Sequence, residues 1–238
     1  MPEVLADPQE LPRGGHLLSF HATPEEGSRH AARFLAGTPP GQAASYWVVD
    51  EPTRRSYREA SVQQAPDHVG CIAILPHCQA APSDGVLRPA KEVQDFLRDH
   101  PEGVTAAGET ITHYWTPETI PQHLEYEAWF QDQDRERSRF MCPYDLREIP
   151  RDLAPRVLRE LGAHHTHVVL ADSQEPGVRL LELFVFPKVR DIPSVLDGAL
   201  GWALKRDLVE VDPSSNELSL TPAGDAVIRE WSDRTVVA

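Results

Sequence analysis

The sequence predicts an α/β protein, a mostly parallel sheet with helices on both faces, and three observations carry that reading. Short apolar runs alternate with stretches whose apolar residues recur every three or four positions. One run, VGCIAIL from Val69 to Leu75, is continuously apolar, as in a strand covered on both faces. The alternation persists through most of the chain, which is the order that builds crossover units.

In chain order, residues 1–15 carry Pro and paired Gly and are expected as a flexible leader. HLLSF (His16 to Phe20) suits a buried strand. Thr23 as cap, Pro24 in the first turn and Glu26 three residues on mark a helix start, and Gly37 to Gly41 ends that helix. SYWVVD (Ser45 to Asp50) is the second strand, followed by a polar helix from about Pro52 to Gln64. A Pro/Ala/Ser-rich loop follows VGCIAIL, and Val93, Phe96 and Leu97 mark the next helix.

The stretch from Gly103 to Val169 is the richest in chemistry. A strand ends at Ala107, Ile120, Leu124 and Ala128 form a helix stripe, and RFMCPYDL is a strand. Leu153, Val157, Leu158 and Leu161 form an amphipathic helix before the strand HTHVVL. RLLELFVF (Arg179 to Phe186) follows a Glu-Pro-Gly turn and reads as a hairpin partner. Beyond Pro187, a helix face runs from Ile192 to Leu204. LVEVD and ELSL then flank a polar tip, and Thr221-Pro222 caps a last helix. The phrase ALKRDLVEVDPSSNELSLTPAGDAVIREW resembles the end of winged-helix regulators, so residues 188–238 are expected as a partial winged-helix-like module.

Net charge is −14, which opposes broad attraction to phosphate backbones or anionic membranes. Residues 188–238 hold six basic against nine acidic residues, leaving Lys205 and Arg206 as a weak DNA-contacting pair. Cys71, Cys78 and Cys142 are unclustered, as expected of reduced thiols. With no signal-peptide pattern and no long apolar run, a cytoplasmic protein without membrane contact is expected.

The junction SFHATPEEG has neither the lysine nor the glycine cradle of a phosphate-binding loop, and its two acids oppose a phosphate at the helix start. Glu109 follows a strand and serves either as a ligand or cation contact or as a cap for the next helix. Glu125 and Glu127 are two residues apart on a helix and point away from each other, so a salt link or solvated face is expected there. Cys142 reads as a buried inert thiol, while Tyr144 and Asp145 emerge at a strand end. His165 and His167 are expected on one face of a strand. That pair could ligate zinc or iron with Cys142 or Glu109, although no CxxC or HExxH spacing is present.

The ordered motifs HLLSFHATPEEG, YWVVDEP, GVTAAGETITHYW, LEYEAWF, CPYDLREIP and HTHVV resemble the methanogen/methylotroph sensory (MEDS) family over residues 14–187. His-Thr-His departs from the His-Pro-His of relatives. The resemblance implies a RecA/KaiC-like fold without the phosphate-loop lysine, and a sensory domain spanning residues 16–187 that is joined to regulatory modules. The expected function is non-catalytic sensing of an unidentified small molecule through Glu109, Tyr144, Asp145, His165 and His167. The expected output is transcriptional, through DNA, a regulatory protein or a homodimer; the cofactor stays unknown. The alternatives are a metal-dependent enzyme built on the His/Cys/Glu set and an interaction module that does not bind DNA.

Overall fold

The computed structural model describes residues 1–48, 51–64, 72–76, 87–108, 120–131 and 136–235. Its sheet comprises β1 (Glu3–Val4), β2 (His16–His21), β3 (Ala43–Val48), β4 (Ile72–Pro76), β5 (Val104–Gly108), β6 (Arg139–Asp145) and β7 (His167–Val169). The order is β1-β7-β2-β6-β5-β3-β4, with every pairing parallel. The helices between strands are α1 (Pro24–Ala36), α2 (Glu51–Gln64), α3 (Leu87–Asp99), α4 (Ile120–Gln131) and α5 (Ala154–His164). This is the α/β architecture that the alternating pattern implies.

Alternation along the strands sends side chains to two separate layers. Leu17, Tyr46, Val48, Ala107 and Met141 pack under α1 and α2. Trp47, Ala106 and Phe140 pack against Val93 of α3 and Tyr126 of α4, and Leu18, Cys142 and Val168 pack beneath α5. The second layer is the one that receives His16, Glu127, Cys142 and His165.

Helix α1 starts as its sequence requires. Thr23 is extended, and its hydroxyl accepts the Glu26 N–H at 3.2 Å. The Glu26 carboxylate accepts the Ala22 N–H at 2.8 Å and also the Asp172 N–H beyond β7. It therefore satisfies amides at the strand ends, next to the helix N-terminus where an anion would otherwise sit.

Several elements differ from expectation. Residues 1–15 form β1 and a 3-10 turn at Pro8–Glu10, so they are not a loose leader. Arg139 ties them down: its buried guanidinium donates to the Leu11 carbonyl at 3.2 Å and to Thr105 Oγ1 at 3.3 Å, and it lies over the Phe34 ring. The guanidinium thus ties the leader's Leu11 carbonyl to Thr105 of β5 and Phe34 of α1.

RLLELFVF is helical, not a strand. α6 (Pro176–Glu182) continues into a 3-10 turn at Leu183–Val185, and Leu180, Leu181, Leu183, Phe184 and Val185 are all buried. A segment covered on every side has no polar face, so its period does not separate strand from helix.

The C-terminal segment contains α7 (Asp197–Lys205), the antiparallel ribbon β8 (Val209–Val211) and β9 (Leu218–Leu220), and α8 (Pro222–Thr235). Pro193 delays the first helix, and 3-10 turns occupy 189–191 and 194–196. This segment shares one continuous core with the sheet: Leu196, Ala203, Leu218, Ile228 and Trp231 belong with Leu18, Tyr144 and Leu158. Arg159 on α5 donates to the Leu218 carbonyl of the ribbon, and Arg151 donates to Ser232 Oγ at 2.9 Å. Among the described residues no helix is long and apolar enough to cross a membrane.

Candidate metal centre

Four neighbouring elements on the α4/α5 side of the sheet deliver ionisable groups to one point. His16 opens β2, Cys142 lies on the adjacent β6, and Leu18 pairs laterally with Cys142 in the parallel register. α4 lays Glu127 over these strands. His165 follows the last turn of α5 in extended conformation, at the helix C-cap. All four are buried, with relative exposures of 1% for His16, 0% for Glu127, 4% for Cys142 and 2% for His165.

Their donor atoms converge closely. His16 Nε2 lies 3.2 Å from Cys142 Sγ and 3.5 Å from Glu127 Oε2. His165 Nε2 lies 3.4 Å from the same Glu127 oxygen, and Cys142 Sγ lies 3.6 Å from it. All four donors fall within 4.8 Å of one another. Ligands about 2.0–2.3 Å from a zinc ion at the centre of a tetrahedron are separated by roughly 3.3–3.7 Å along its edges. The observed spacings fall at or near that range.

The surrounding bonds set the histidine tautomers. His16 Nδ1 is 3.1 Å from the His164 carbonyl, and His165 Nδ1 is 2.7 Å from the Leu161 carbonyl. A carbonyl only accepts, so each Nδ1 carries the proton and each Nε2 turns its lone pair toward Glu127 and Cys142. The rings stack with centroids 3.9 Å apart and planes 28° apart, an arrangement that two imidazolium ions would oppose. Tyr144 donates its hydroxyl to the other oxygen of Glu127, completing the support of the carboxylate. Two imidazoles, a thiol and a carboxylate facing one another at these distances form a donor set that could hold a metal ion.

The residues expected from sequence are distributed over different places. His165 and Cys142 belong to this cluster, with Tyr144 bonded to its carboxylate. His167 does not share a face with His165, because the strand starts only at His167. His167 faces the sheet edge, with Nε2 3.7 Å from Glu3 of β1. Asp145 turns to Arg147, accepting its backbone N–H and its guanidinium at 2.9 Å. Glu109 lies outside the described residues, as do Cys71 and Cys78. Lys205 and Arg206 are exposed at the end of α7, and Arg206 lies over the Trp202 ring.

Sequence reasoning missed two members. Of the salt link or solvated face expected for Glu127, full burial excludes the solvated face, while the carboxylate lies within ion-pair distance of His16 and His165. The signal was present in the stripe: Ile120 and Leu124 face the sheet, and Glu127, three residues after Leu124, falls on the same side. His16 stands at the head of an otherwise apolar strand, a polar residue at a core position.

A second group of donors, Glu26, His30 and Asp172, lies at the ends of β2 and β7, but Asp172 is exposed there. Near Asp145, burial lowers the His21 ring to about 4 despite the opposing pull of the carboxylate. Folded His21 is therefore neutral while the unfolded chain takes up a proton first as pH falls below its ordinary value. The stability it contributes is complete above the unfolded pKa and is lost as pH drops toward about 4. In metal-free protein, His21→Gln is expected to reduce the slope of stability against pH in that window by about 1.4 kcal/mol per pH unit. Urea titrations at a series of pH values measure it, and an unchanged slope contradicts the assignment.

No family model and no curated protein matches the chain. Among solved structures, the flagellar accessory protein FlaH from Methanocaldococcus jannaschii is similar at a TM-score of 0.37 and 12% identity, covering 66% of this chain and 71% of that chain.

Proposed function

We propose that this chain is a regulatory metal-binding protein in which His16, Glu127, Cys142 and His165 hold one zinc ion. The observation that carries the reading is the spacing of the donors: the separations of 3.2, 3.5, 3.4 and 3.6 Å are close to the edges of a tetrahedral site, and all four donors lie within 4.8 Å of one another. Thiolate and imidazole together favour zinc over hard, oxygen-preferring cations. Four buried protein ligands leave no position for substrate, as in structural and regulatory sites rather than catalytic ones. This supports sensing over turnover, in keeping with the resemblance of the sequence motifs to a sensory family.

The output runs through α5. Its last turn holds both histidine rings through the Leu161 and His164 carbonyls, Arg159 on the helix binds the ribbon, and Arg151 in the turn before it binds α8. Filling or emptying the centre thus acts on the helix that carries the C-terminal segment. That segment would bind a regulatory protein, a second copy or DNA, with Lys205 and Arg206 as the DNA-facing charges. Elemental analysis of protein purified from zinc-supplemented cells is expected to give one zinc per chain. The Cys142→Ala/His165→Ala variant is expected to retain less than about a tenth of it. Wild-type protein free of transition metal would overturn the reading.

A further inference from the structure

Cys142 faces more than the cluster. It also lines a cavity of about 30 Å³ roofed by α3 and α4, whose wall includes Trp47, Phe96, Ala106, Tyr126 and Phe140. Trp47, Ala106, Phe140 and Cys142 stand on the same side of the sheet, and Trp47 meets Phe96 edge-on at 5.7 Å. The walls are almost wholly apolar, which excludes ions. By volume the cavity has room for about two water-sized atoms, since one water needs roughly 10–15 Å³.

Small residues on β5 make this space. Ala106, Ala107 and Gly108 follow one another there, opposite the aromatic rings of β3, α3 and α4. The sulfur beside it is the chemically softest group in the cluster. Metal coordination holds it as thiolate, the form that attacks electrophiles.

Resting on the metal reading, we propose that Cys142 is a modification site: a small neutral hydroperoxide enters this cavity and oxidises the metal-bound sulfur, releasing the metal. The thiolate attacks one peroxide oxygen, the S–O bond forms and the O–O bond breaks. Sulfur gives up two electrons and the peroxide accepts them: the OH group transfers to sulfur, and the other oxygen leaves as hydroxide (alkoxide from an organic hydroperoxide), which passes to solvent and is neutralised by a buffer acid. The product is a sulfenic acid, which no longer supplies the anionic sulfur donor. The remaining three ligands hold zinc less tightly, so the centre reports peroxide as metal loss.

The test uses full-length zinc-loaded protein carrying Cys71→Ser and Cys78→Ser, treated with hydrogen peroxide or with the bulky cumene hydroperoxide. Dimedone trapping with peptide mapping reads oxidation at Cys142, and a colorimetric chelator reads zinc release. Hydrogen peroxide is expected to label Cys142 and release zinc in step, at least about tenfold faster than cumene hydroperoxide. Ala106→Leu, which fills the cavity, is expected to slow labelling by about tenfold with zinc content unchanged. Equal rates for the two peroxides, or an unlabelled Cys142, overturns the proposal; the peroxide comparison does so without any cavity variant. Protein lacking zinc would instead defeat the metal reading, and labelling of Cys142 would still decide whether the cavity delivers peroxide.

Discussion

Zinc added to the metal-free chain is expected to raise its thermal midpoint by roughly 8–16 °C, and the Cys142→Ala/His165→Ala variant is expected to lose that gain. The magnitude follows from linkage: a ligand at about a thousand times its dissociation constant stabilises the folded state by about 4 kcal/mol. A chain of this length responds by about 2–4 °C per kcal/mol. The ligands come from β2, α4, β6 and the end of α5, so none of the set is assembled until the sheet and both helices are in place. Binding free energy is therefore folding free energy. The shift is compared with and without zinc within each variant, which removes the packing lost with the side chains. A zinc-induced shift that survives in the double variant would contradict the assignment.

Gly162→Ala is expected to lower the midpoint by about 6–12 °C, corresponding to about 3 kcal/mol of overpacking. A Cβ at residue 162 would sit 2.3 Å from the Val185 carbonyl oxygen and 3.0 Å from a Val185 methyl. The obstruction is backbone of the buried 3-10 turn at 183–185, which has little room to retreat. Residue 162 also lies in the turn whose carbonyls at Leu161 and His164 hold the two imidazole rings. Displacing that turn is expected to weaken zinc binding by about tenfold or more, the usual effect of disturbing groups that orient ligands. Differential scanning calorimetry and competition with a zinc chelator measure the two effects. Loss of stability with unchanged zinc affinity would show that the turn does not set ring orientation.

Much of the architecture was legible because period and capping agree along the chain. Thr23, Pro24 and Glu26 name the start of α1, and HLLSF and RFMCPYDL lie on adjacent strands, β2 and β6. The apolar period of Leu153 to Leu161 gives α5. Pairing was not legible, because β2 sits between β6 and β7, both of which come more than a hundred residues later. The cluster depends on that pairing. His16 meets Cys142 only through the β2–β6 register and meets His165 only because β7 lies on the other side of β2. Cys142 and His165 are recognisable donors in the sequence, whereas the place of Glu127 follows from the stripe that faces the sheet and not from its neighbour Glu125. The helical state of Arg179 to Phe186 was hidden by burial on every side. The order of residues 1–15 is not legible locally, because their anchor, Arg139, lies more than a hundred residues away.

Zinc K-edge X-ray absorption on the stoichiometric complex tests the central claim most directly, since it reads the atoms around the metal. The account predicts one sulfur at about 2.3 Å and three nitrogen or oxygen neighbours at about 2.0–2.1 Å, with the multiple scattering of two imidazole rings. In the Cys142→Ala variant the sulfur shell is expected to disappear. A six-coordinate shell of oxygen and nitrogen without sulfur in the wild-type protein would contradict the account.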